Sequence, residues 1–108
     1  MNEQRVIKQF VEQIMMQYDV YAMAVYKGTE KICGTAFDNV TVDRCLALTC
    51  TSIFKSTDAS LFATHIYVGT QMYMIMLRSH TSTAFDGLDA QYIIDEIKRL
   101  QKRLGEMA

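Results

Sequence analysis

Apolar and polar positions follow two different periods along this chain, and the switches between them mark its elements. Over residues 3–18, Val6, Ile7, Phe10, Val11, Ile14 and Met15 recur at spacings of three and four. Gln4, Lys8, Gln9, Glu12 and Gln13 fill the other side, so the spacing predicts an amphipathic helix with Asn2 as its cap. After Asp19 the period drops to two. Val20 to Lys27 reads as a strand, Lys27-Gly28-Thr29-Glu30 as a turn and Lys31 to Phe37 as the returning strand of a hairpin.

The helical period then resumes. Val42, Cys45, Leu46, Thr49, Cys50, Ile53 and Phe54 fall on one arc at 100° per residue, which predicts a helix over 42–55. Leu61 to Gly69 and Met72 to Ser79 read as a second pair of strands around Gly69-Thr70-Gln71. Residues 80–87 form a polar loop with room for a short extra strand. A last helix starts at Asp86 or Asp89 and runs to about Leu104, with Ala90, Ile93, Ile97, Leu100, Leu104 and Met107 as its seam. Asp95 and Arg99 are spaced as an i, i+4 ion pair. The expected fold is therefore a single α+β domain in the order α-ββ-α-ββ-α. It has one antiparallel sheet of four or five strands and three helices, in two layers.

Two of these strands break the alternation expected of a sheet with one wet face. Met72, Met74 and Met76 oppose Tyr73, Ile75 and Leu77, and all six are apolar or aromatic. Tyr21, Met23 and Val25 likewise oppose Ala22, Ala24 and Tyr26. Both sheet faces need a cover, supplied either by the chain's own helices or by a second chain. The expected interface residues are accordingly Met72, Tyr73, Met74, Met76, Tyr21 and Met23.

Composition changes this picture little. With 108 residues, 50% of them hydrophobic, the chain holds one core and needs no metal or disulfide staple. The net charge of −1 argues against a general polyanion binder. No apolar run approaches the roughly 20 residues of a membrane span, and MNEQRVIKQF does not read as a secretory signal. Three cysteines, an odd number, point to a reducing, cytoplasmic setting with thiols packed as small hydrophobes.

Candidate chemistry is sparse. Cys33, Cys45, Cys50, His65 and His80 lack the paired spacing of metal ligands. The five glycines form neither a dinucleotide fingerprint nor a P-loop. No catalytic residue, cofactor or metal is therefore expected. Arg78, His80 and Ser82 belong to a loop able to hydrogen-bond an anionic ligand. Lys98, Arg99, Lys102 and Arg103 share one face of the last helix, which reads as a solvated basic face more readily than as a nucleic-acid grip.

The stretch from Phe10 to Ser56, with VYAMAVYKG, KICGTAF and the 42–55 helix, resembles the roadblock and longin-like small α/β modules in its element order. That resemblance implies a dimeric scaffold for GTPases or motors. It departs from those families in showing two strands rather than three in the second half, together with a longer final helix, and no functional residue is carried over. The function expected from the residues is a non-enzymatic interaction or assembly module, acting as a cytosolic homodimer with another protein as partner. The alternative is a small-ligand or nucleotide binder, or a small enzyme, with a pocket at the sheet/helix or dimer interface.

Overall fold

The apolar stripe of the first segment demands a buried helix face, and the computed structural model, which describes residues 2–108, provides one. Helix α1 (Glu3–Gln17) is capped by Asn2, whose Oδ1 accepts the Arg5 N–H at 2.8 Å, and it buries Val6, Ile7, Phe10, Val11 and Ile14. Strands β1 (Ala22–Lys27) and β2 (Glu30–Gly34) form the hairpin, with Gly28 at φ 61° in its turn. Helix α2 (Asn39–Leu46), strands β3 (Ser52–Lys55), β4 (Ser60–Val68) and β5 (Gln71–Ser79), and helix α3 (Gly87–Met107) complete the order.

All strand pairs are antiparallel, in the spatial order β2-β1-β5-β4-β3. The doubly apolar strands β1 and β5 are thus interior neighbours, paired from Ala22↔Arg78 to Lys27↔Tyr73. Met23, Val25, Phe62, Ile66, Tyr73, Ile75 and Leu77 face α1 and α3 in the larger cluster. Ala24, Tyr26, Ala63, Met74 and Met76 face the other way and pack with Val42 and Cys45 of α2. Sheet and α1/α3 make the two main layers of this α+β fold, and α2 adds a partial cover on the second face.

The segment 42–55 is not one helix. Helix α2 starts earlier, on Asp38, and stops at Leu46; Ser52–Lys55 is the edge strand β3, paired with β4 from Ser52↔Ala63 to Lys55↔Ser60. Thr49, Thr51 and Ile53 are β-branched, and Ser and Thr side chains offer the backbone other partners, so helix propensity falls through this stretch. Strand pairing with β4 then decides. The fifth strand therefore lies before β4 and not in the 80–87 loop, and the second half holds three strands where the sequence pattern showed two. Strand β2 also ends sooner than its pattern suggests. Gly34 adopts φ 111°, and a Cβ there would stand 2.1 Å from the Met23 carbonyl oxygen.

Candidate functional site: an open edge and a cation-lined groove

Helix α2 is too short for the face it lies on. Eight residues span roughly 12 Å at the α-helical rise, whereas the outer strands of a five-stranded sheet stand roughly 19 Å apart. Phe37, Leu46, Leu48, Phe54, Leu61 and Met72 consequently pack against the α2 cluster while staying only partly buried. Strand β3 ends the sheet, so one side of its backbone is unpaired. Around this edge Val40 is 78% exposed and Ile53 38% exposed. His65 ties α2 to the sheet, its Nε2 lying 2.8 Å from the Cys45 carbonyl oxygen.

A groove of about 400 Å³ opens where four strands end beneath the first turns of α2. Phe54 and Leu61 supply apolar wall, Val40 and Thr41 the helix side, and Arg44 and Arg78 the charge. The Arg44 guanidinium lies 4.2 Å from the Phe54 ring centroid, and that of Arg78 lies 5.1 Å from the Phe37 centroid. Stacking of this kind fixes a guanidinium plane while leaving its N–H edge free. Among the described residues neither arginine makes an ion pair, and no carboxylate lines the groove. Asp38, the cap of α2, has oxygens that already accept the Thr41 N–H at 2.9 Å and the Thr41 hydroxyl at 2.7 Å. Those two bonds, with a smaller contribution from Arg78, hold the Asp38 carboxyl below its usual value. Lys55 also borders the groove, but its ammonium is paired with Asp86 at the start of α3.

The 80–86 loop is tied down. The Ser60 hydroxyl donates to the Thr81 carbonyl at 2.7 Å, the Thr81 N–H to the Ser79 hydroxyl, and the Thr81 hydroxyl to Asp19. His80 stacks flat on Tyr21, with ring centroids 3.7 Å apart and planes 1° from parallel. Tyr21 in turn lines the groove.

Of the residues singled out from sequence, Arg78 thus lies in the groove, His80 supports its Tyr21 wall, and Ser82 is half-buried in the adjoining loop. Met23, Met74 and Met76 are fully buried and Tyr73 is 5% exposed, all beneath the chain's own helices. Met72 is half-buried and Tyr21 exposed. Cys45 is buried, Cys33 half-buried and Cys50 exposed, so the burial expected for all three holds fully for one. Burial pushes the Cys45 thiol up, away from nucleophilic reactivity. Among the described residues no three His, Cys, Asp or Glu side chains gather to hold a metal ion. On α3, Arg99 pairs with Glu96 rather than with Asp95, which accepts from Gln91 at 3.0 Å. The residues that sequence reading missed are Arg44, Phe54 and Phe37. Assigning 42–55 to one helix hid the Arg44–Phe54 contact, because only the reversal into β3 brings the two together.

No protein-family model matches this chain, and no curated protein matches it either. Its class is therefore defined by geometry: an antiparallel α+β domain whose sheet ends on β2 and β3, with one sheet face partly covered.

Proposed function

We propose that this chain is a non-enzymatic protein-interaction module that assembles as a cytoplasmic homodimer through the open edge of β3. The observation that carries the reading is the unpaired edge flanked by exposed Ile53 and Val40. Edges of this kind are templates for further strand pairing. A second copy suits the edge on grounds of register. In an antiparallel pair, opposed residues share a face, so a twofold centred on Ile53 sets Ile53 against Ile53, Phe54 against Ser52 and Lys55 against Thr51. No like charges are opposed, and Ile53 gains an apolar neighbour. The three unpaired thiols are in keeping with a reducing compartment.

Sedimentation tests the reading. The wild-type chain at micromolar concentration is expected at twice its 12.4 kDa mass. Ile53→Lys is expected to sediment as a folded monomer, since it opposes two ammonium groups at the axis. A wild-type chain that remains monomeric at the highest soluble concentration would refute the homodimer.

A further inference from the structure

We propose that the groove beneath α2 binds an acidic segment of a partner protein, its carboxylates held by Arg44 and Arg78 and an apolar side chain seated on Phe54 and Leu61. The proposal deepens the interaction-module reading and rests on it. Charge carries the argument. The chain as a whole is slightly acidic, at −1, yet this groove presents two arginines without ion pairs and no carboxylate. Each guanidinium is braced against an aromatic ring at 4.2 or 5.1 Å. A planar donor fork held in advance loses less side-chain entropy on binding than a free one, and it matches a carboxylate with two parallel hydrogen bonds.

The walls add a second requirement. Phe54, Leu61 and Val40 line the same groove, so an occupant that carries only charge would leave apolar surface wet. An acidic segment with an aliphatic or aromatic residue between its carboxylates meets both demands. A phosphate ligand finds less here, because the Thr41 N–H in the first turn of α2 is already given to Asp38 and the apolar wall would stay wet beside it. A second copy is the wrong occupant, since it would bring its own Arg44 and Arg78.

The test is selection from a random peptide display library on the wild-type protein, followed by titration of the recovered peptide by fluorescence anisotropy. Recovered peptides are expected to be rich in Asp and Glu around an apolar residue, with affinity that weakens as salt is raised. Arg44→Gln and Arg78→Gln are each expected to raise the Kd about tenfold or more. Arg44 is exposed, so Arg44→Gln, with its fold checked by circular dichroism, suffices should Arg78→Gln not fold. No acidic enrichment, or an unchanged Kd in Arg44→Gln, overturns the proposal. So does displacement of the peptide by ATP or inorganic phosphate at lower concentration than by the peptide itself, which would mark a phosphate site. The same samples separate this result from the homodimer. A monomer that binds the acidic peptide sinks the homodimer alone, and a dimer that selects no acidic peptide sinks the groove alone.

Discussion

At the residue scale, the most tightly coupled group links the start of α1 to the centre of the sheet. The Tyr73 hydroxyl donates to Glu3, and the Lys27 ammonium reaches the same carboxylate at 3.0 Å. Burial, and then Glu3, push the Tyr73 hydroxyl up to about 12. For Glu3, burial alone would raise the carboxyl, but the bonds from Tyr73 and Lys27 outweigh it and the net shift is downward. A lowered carboxyl contributes stability that is present above its ordinary range and lost as pH falls through its folded value. A raised hydroxyl contributes stability that is present below its ordinary value of 10 and lost as pH rises toward 12. Tyr73→Phe is therefore expected to cost about 1 kcal/mol at neutral pH in urea unfolding. Its deficit against wild type should narrow as pH falls past the ordinary carboxylate range and through the lowered value of Glu3, because protonating Glu3 removes the charged acceptor. A deficit that stays constant with pH would rule out the coupling.

Two glycines make a sharper residue-scale contrast. Gly34 has φ 111° and no room for a Cβ beside the Met23 carbonyl, whereas Gly105 sits in α3 with nothing within 4 Å of an added Cβ. Thermal and urea unfolding should show Gly34→Ala destabilised by more than about 2 kcal/mol. Gly105→Ala should be stabilised by up to about 1 kcal/mol. Nothing in the local sequence separates these two positions, because the obstacle at Gly34 is the backbone of a different strand.

At the scale of elements, α1 and α3 were legible because their apolar stripes are long. Helix α1 has both the six-residue stripe and Asn2 at its N-terminus. Ile93, Ile97, Leu100 and Leu104 of the α3 seam are all buried. The region 42–55 misled for a physical reason: seven apolar or small residues fit a helical arc, and no glycine or proline interrupts them. A short helix and a short edge strand can each be drawn on such a pattern, and pairing with β4 selects the strand. Helix α2 is only eight residues long and depends on its cap. Asp38→Ala is expected to lower the midpoint of chemical unfolding, and Asp38→Asn to lower it by only a fraction as much. Equal losses for both would show that the carboxylate charge, not the cap bond, matters at this position.

At the scale of the whole molecule, the doubly apolar strands announced that two faces needed covering, and the chain itself covers most of both. Part of the exposed remainder lies at one corner, where β3 ends the sheet and α2 falls short. If that edge pairs with a second copy, global stability must depend on protein concentration. The melting temperature of the wild type should rise on going from micromolar to higher concentrations, and that of Ile53→Lys should not. A wild-type melting temperature independent of concentration would count against the pairing. Of the candidate site, the sequence pointed to Arg78 and its loop through polarity alone. It did not show that Arg44 comes beside them, or that Phe37 and Phe54 brace the two guanidiniums.

The sequence by itself determined the elements whose periodicity is long, the hairpin at Gly28, the antiparallel α+β class and the apolar character of both sheet faces. These follow from local propensity and from the burial that each stripe requires. Only the tertiary structure decided that Ser52–Lys55 is a strand, which strands lie at the edges, and which arginines share a groove. Those outcomes depend on contacts between segments, such as Phe54 against Leu61 across β3 and β4 and, far apart in the chain, Arg78 against Phe37. A one-dimensional pattern carries the period of each segment but not the partner it meets.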